Sequence, residues 1–207
     1  MQRINVVVAD DHPLFRQGIV HQLPDHLVNQ MHEADDGMQA LEIVNTNPVD
    51  VVLLDIKMPV LGGYETALEL RKRSKKIRII VFTPFNEEFL VLNLIKIGVD
   101  ACILKSEKSL TLCLETVLRG HFYYSRPLEH AIRKAQRSID ISLPISITMR
   151  DKKLISLLAQ GQTSHEIAKL TGTTKLTIDS YRNDLLKKFK VRNATQLVSF
   201  AHQIGIL

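Results

Sequence analysis

Val51-Val52-Leu53-Leu54 runs directly into Asp55-Ile56-Lys57-Met58-Pro59-Val60-Leu61-Gly62-Gly63, and a helical pattern starts at Tyr64. Four apolar residues with no polar alternate predict a strand buried on both faces, as in a parallel sheet. Pro59 and the Gly62-Gly63 pair then shape the turn into the helix, a structural duty. Strand, acid, turn and helix make one βα unit. Asp55 falls at the carboxyl end of its strand, the edge where open α/β sheets bind ligands.

Comparable units lie on either side. Apolar runs recur at Ile4–Ala9, Ile77–Phe82 and Ala101–Leu104, with a weaker candidate at Val28–Glu33 that includes His32. Helical patterns separate them at Pro13–Gln22, Gly37–Asn45, Tyr64–Arg73, Phe89–Ile97 and Ser106–Arg119. Five strands with right-handed crossovers predict an α/β doubly wound parallel five-stranded sheet. Its carboxyl edge then collects Asp10 and Asp11 after the first strand, Asp55 after the third, Thr83 ending the fourth and Lys105 ending the fifth. Three carboxylates held together repel, and a hard divalent cation such as Mg²⁺ neutralises them. A carboxylate can also attack phosphorus and form an aspartyl phosphate. Thr83 could donate to a phosphoryl oxygen while Lys105 balances its charge. Taken singly, each acid could equally cap a helix or a turn.

The composition of the 207-residue chain is globular, with 45% hydrophobic and 24% charged residues. That excludes wholesale disorder, collagen and a coiled-coil rod. No apolar run reaches the roughly 18 residues of a membrane span. The first ten residues meet acid too early for a signal peptide, so a cytoplasmic protein is expected. Two cysteines, Cys102 and Cys113, would then be reduced thiols. The charge is uneven. Residues 1–120 carry 13 Lys+Arg and 16 Asp+Glu, a net of −3, and residues 121–207 carry 14 and 6, a net of +8. A basic half suits a polyanion partner, although a solvated basic surface looks the same.

The basic half reads as helices. Asp151–Gln160 carries Leu154, Ile155, Leu157 and Leu158, and Gly161 stops it. Thr163-Ser164-His165-Glu166 is a capping box opening a second helix. Gly172 makes a turn, and Thr173 or Thr174 caps a third helix through Ile178, Leu185, Leu186 and Phe189. A fourth spans Ala194–Gln203. Helix, short glycine turn, helix is the helix-turn-helix arrangement, whose second helix enters the major groove. Lys175, Arg182, Lys187 and Lys188 on that helix suit phosphate contact. A compact helical protein-binding module is the other reading. The expected division is residues 1–122, a connector at 123–145 with a helix from Leu128 to Arg137, and residues 146–207. The aromatics of Gly120-His121-Phe122-Tyr123-Tyr124 are expected to pack a helix end.

Ala9-Asp10-Asp11-His12, the Asp55-x-x-Met58-Pro59-x-x-x-Gly63 string, Thr83 and Leu104-Lys105-Ser106 together resemble a response-regulator receiver domain, a flavodoxin-like fold. Residues 147–207 resemble the four-helix output domain of the LuxR/NarL type. Ile147-Thr148-Met149-Arg150-Asp151, Glu166-Ile167-Ala168, Thr177-Ile178-Asp179-Ser180-Tyr181-Arg182 and Leu185-Leu186-Lys187-Lys188 carry that likeness, with Asp151 where the family usually has Glu. In that order the two identify a two-component response regulator of the NarL/FixJ class. The resemblance implies Asp55 as phospho-acceptor for a sensor histidine kinase. It implies Mg²⁺ held by Asp10, Asp11, Asp55 and the backbone carbonyl of Lys57, with Thr83 and Lys105 on the phosphoryl group. Asp179, Ser180 and Asn183 would face base edges of double-stranded promoter DNA, and Lys175, Thr177, Tyr181, Arg182 and Lys187 would meet its backbone. Pairing into a homodimer when active is also implied, with no membrane and no catalysis beyond gaining and losing the phosphoryl group.

Two positions depart from the receiver pattern. Cys102 stands where a mobile aromatic is usual, and Pro84 follows Thr83 where a small residue is usual. They motivate a rival, a phosphorylation-independent transcription factor using its receiver as a dimerisation scaffold. An aspartate-nucleophile phosphatase is a further class, but Asp55-x-Lys57 lacks a second acid for a leaving group, and no glycine-rich phosphate loop is present.

Overall fold

The computed structural model describes residues 3–83, 88–106, 110–129, 147–203 and 206–207. Pro84 and most of the 123–145 connector, including the helix expected beyond 129, fall outside the described residues. The chain divides into two compact units, residues 1–144 and 145–207.

The first unit alternates β1 (Ile4–Ala9), α1 (Pro13–Gln22), β2 (Val28–Ala34), α2 (Gly37–Thr46), β3 (Val51–Asp55), α3 (Gly63–Arg73), β4 (Arg78–Thr83), α4 (Glu88–Ile97), β5 (Ala101–Leu104), α5 (Leu110–Leu118) and β6 (Tyr123–Tyr124). Among the described residues all the pairings are parallel, in the order β2-β1-β3-β4-β5-β6. The central strands are the continuous apolar runs, and β3 is buried at every position. At the edge, β2 leaves Asn29, Gln30 and Glu33 exposed, which is why its apolar signal is weak. Among the described residues the sheet has six strands where the sequence predicts five. Tyr123 and Tyr124 pair with Ala101 and Cys102, and Ser125 continues the contact by donating its N–H to the Cys102 carbonyl at 3.1 Å. A two-residue strand is too short to show a period, so the aromatics read as packing rather than pairing.

Local chemistry sets the helices. Pro13 opens α1 at its first turn, where a missing N–H is harmless. Asp36 caps α2 by accepting the Gln39 N–H at 2.9 Å. Gly63 starts α3 so close to β3 that a Cβ would lie 1.9 Å from the Asp55 carbonyl oxygen. Only glycine admits that approach, and it places the β3–α3 turn against the strand end. At the opposite edge, Asp100 accepts from Arg71 and Arg78 at 2.9 Å each and from the Ile79 N–H at 2.9 Å, tying α3 to β4.

The second unit contains α6 (Met149–Ala159), α7 (Ser164–Thr171), α8 (Lys175–Lys188) and α9 (Ala194–Gln203). The first of these starts two residues before the sequence places it, because Thr148 and Asp151 form a capping box. Thr163 and Glu166 form the expected second box, and Thr174 caps α8 by accepting the Thr177 N–H. Gly172 holds φ +66°, the left-handed conformation that ends α7 and aims α8 across it. The core joins Leu154, Ile155, Ile167, Ile178, Leu185, Phe189, Leu197 and Phe200, with the two phenylalanine rings 5.6 Å apart. Among the described residues, no helix is long and apolar enough to cross a membrane.

Candidate functional site

The sheet register gathers the predicted residues. Ala9 pairs with Leu54, Asp55 with Phe82 and Thr83 with Leu104, so four strands end at one level. Asp10 and Asp55 are buried there, and Lys105 bridges them, its Nζ 2.8 Å from Asp10 Oδ2 and 2.9 Å from Asp55 Oδ2. Asp55 Oδ1 accepts the Ile56 N–H at 2.8 Å, which fixes the carboxylate plane. Thr83 is fully buried at the end of β4, and its carbonyl accepts the Lys105 N–H at 3.2 Å. Asp11 is exposed on the rim, and the Lys57 side chain points outward.

Three further residues belong to the site. His12 donates its N–H to Asp10 Oδ1 at 2.8 Å, and its Nδ1 lies 2.7 Å from Asp11 Oδ1. Arg16, one turn into α1, donates to the Asp10 carbonyl at 2.6 Å and pairs with Glu33 and Asp35. Phe15 lays its ring under Lys105, 4.4 Å from Nζ, and meets Phe82 edge-on. The sequence placed His12 in a motif without giving it a role. Arg16 and Phe15 carried no local signal beyond their spacing on α1, because their partners are distant in the chain.

Electrostatics favour a cation here. Burial, then the neighbouring Asp10 carboxylate, push the Asp55 carboxyl up to about 6, against the pull of Lys105 and the Ile56 N–H. Burial works to lower the Lys105 ammonium, yet its bonds to Asp10 and Asp55 outweigh this and hold it above its ordinary value. One lysine thus bridges two of the three carboxylates, and Asp11 on the rim pairs with His12 instead. Ligand atoms of Asp10, Asp11, His12 and Asp55 all lie within 4.8 Å of one another. Three of these are hard carboxylate oxygens, buried or on the rim, and with one bridging lysine they fit Mg²⁺.

Cys102, at the position of the usual aromatic, is fully buried on β5 beside Tyr124 of β6. Burial pushes its thiol far up, so it behaves as a small hydrophobe.

On α8, Ile178, Leu185 and the following Phe189 face the core. Lys175, Ser180, Asn183 and Lys187 are exposed, and Thr177 and Asp179 half-exposed. Thr177 serves the cap through Thr174. Tyr181 lies half-buried beneath the Arg150 guanidinium, 4.5 Å from the ring centre. Arg182 and Lys188, both expected on phosphate, hold partners inside the unit. Arg182 Nη1 donates to Ser164 Oγ at 2.7 Å, and Lys188 pairs with Asp151. Sequence could not separate them from Lys175 and Lys187, because their partners lie 18 and 37 residues away.

Residues 6–115 match the response regulator receiver domain, and residues 145–201 match the bacterial regulatory proteins of the luxR family. The chain is 30% identical over 206 residues to the nitrate/nitrite response regulator protein NarL of Escherichia coli, spanning 96% of this chain and 94% of that one. It is 28% identical over 210 residues to the probable transcriptional regulatory protein NarL of Mycobacterium tuberculosis, spanning 100% and 97%. Its fold is similar to RcsB of Salmonella enterica serovar Typhimurium bound to a promoter in the presence of phosphomimetic BeF3−. The TM-score there is 0.67 at 21% identity, over 98% of this chain and 100% of that one.

Proposed function

Because the chain belongs to the response regulators that join a receiver domain to a LuxR-family DNA-binding domain, we propose that a sensor histidine kinase phosphorylates Asp55 and that this changes dimerisation and promoter binding. The protein is a transcription regulator, not a classical enzyme. The observation that carries the proposal is the pair of buried carboxylates on one lysine, Asp10 and Asp55 about Lys105.

An Asp55 carboxylate oxygen attacks phosphorus, the P–N bond to the donor histidine breaks, and its electron pair returns to the imidazole. Ile56 N–H orients the nucleophile. Lys105 moves its charge from the carboxylates to the phosphoryl oxygens, and the Thr83 hydroxyl donates to one of them. Asp10, Asp11, Asp55 and the Lys57 carbonyl would hold Mg²⁺, which supplies charge neutralisation for those oxygens when bound. Hydrolysis of the acyl phosphate returns Asp55 and phosphate, the extent of self-catalysis. In this reading residues 1–122 with the β6 pair and Ser125 receive the signal, the rest of 123–145 connects, and 146–207 read DNA as a homodimer in the cytoplasm. Lys175, Thr177, Tyr181 and Lys187 meet the backbone, Arg182 and Lys188 support the helix, and Asp179, Ser180 and Asn183 face base edges.

Cys102 favours a second reading, in which the receiver is a dimerisation scaffold that ignores phosphorylation. Light scattering with Mg²⁺ and beryllofluoride, with DNA binding at fixed salt, separates the two. The proposal expects wild type, and not Asp55→Asn, to shift toward dimer and to bind DNA more tightly. Identical behaviour of both proteins with and without the mimic establishes the scaffold instead.

A further inference from the structure

The core-facing residues of α8 fix what lies opposite them. With Ile178, Leu185 and Phe189 inward, a helix of 3.6 residues per turn puts positions 176, 180, 183 and 187 on the outward stripe. Those residues are Leu176, Ser180, Asn183 and Lys187, and all four are exposed. Three are polar, as a solvated stripe should be. Leu176 is not, and it is 81% exposed. It is also the second residue of α8, and the first turn of a recognition helix is the part that reaches base edges. A leucine there has no hydrogen bond to offer, and Thr174 and Thr177 already satisfy the cap. In the major groove one base edge carries an apolar group, the C5-methyl of thymine.

We infer that Leu176 is a specificity residue that reads a thymine by packing against its C5-methyl group. The inference rests on α8 being the DNA-reading helix. It adds to the polar positions 179, 180 and 183 a contact that selects by burial alone. Ser180 follows one turn later on the same stripe, so the base step read by Leu176 lies next to the one Ser180 faces. Lys187 closes the stripe at its far end, where a charge suits the backbone.

The test uses the full chain with Mg²⁺ and beryllofluoride. Binding sites are first selected from random duplexes. Each selected dT is then replaced by deoxyuridine, which removes the methyl and leaves every hydrogen-bonding group in place. Affinities are read by fluorescence anisotropy at one salt concentration. At one position in each half-site, deoxyuridine is expected to weaken wild-type binding about fourfold, the effect of one lost methyl contact. Leu176→Ala is expected to bind the dT and deoxyuridine duplexes alike, with unchanged circular dichroism. The inference is overturned if no position responds to methyl loss, or if Leu176→Ala keeps the wild-type ratio. Selection of no preferred sequence at all overturns the DNA-reading role of α8 and this contact together. Because the first comparison alters only the DNA, it stands even if the variant is unstable.

Discussion

Val60 sits at φ +61° in the turn between β3 and α3. A β-branched residue is strained in the left-handed region by about 1–2 kcal/mol. The side chain is 76% exposed, so little burial offsets that strain. Val60→Gly relieves it and adds some unfolded-state entropy, for a net gain of about 0.5–1 kcal/mol. A urea midpoint that rises with an unchanged slope is the expected result, and an unchanged midpoint counts against strain there. The turn it belongs to runs from Asp55 to Gly63, so a strained backbone position lies in the turn that follows the Asp55 carboxylate.

At the scale of elements, the α6 start couples charge to stability. Burial alone would raise the Asp151 carboxyl. The bonds from Lys188 and from the N–H and hydroxyl of Thr148 outweigh it and hold the group below its ordinary value. A carboxylate whose folded value is depressed contributes its stability above the ordinary value, and that contribution disappears as pH falls through the folded value. Asp151→Asn is therefore expected to cost about 1 kcal/mol at neutral pH through the weakened cap. The gap in melting temperature between the two proteins should narrow below about pH 4. A gap that persists unchanged at pH 3 would show that packing, not charge, holds this end. The box was half legible in sequence. Thr163 and Glu166 are a familiar pair, whereas Asp151 in the place of Glu hid the first box and shifted the predicted start of α6. The same holds elsewhere. Continuous apolar runs revealed β1, β3, β4 and β5, and with them the level at which Asp10, Asp55, Thr83 and Lys105 meet. What stayed hidden depends on partners distant in the chain, such as Arg16 with Glu33, Arg182 with Ser164 and the pairing of β6 with β5.

Across the whole molecule the charge division sets how it meets DNA. The acidic first part repels phosphate, and the basic second part attracts it. Affinity should fall steeply with salt, because each phosphate contact releases counterions. Lys187→Ala is expected to weaken binding to every sequence alike and to reduce the slope of log K against log salt by about 0.9. An unchanged slope would remove Lys187 from the phosphate-contacting set. The short β6 strand bears on the molecule as a modular device. Its backbone bonds, with the Ser125 hydroxyl accepting the Leu104 N–H at 3.0 Å, seal the flank of the strand that delivers Lys105. A border drawn at residue 122 therefore cuts through the sheet and not beside it. Anyone grafting this receiver onto another output would have to carry residues 123–125 along. Leaving them behind would expose a bare hydrogen-bonding margin, the kind of surface through which sheets stick to one another.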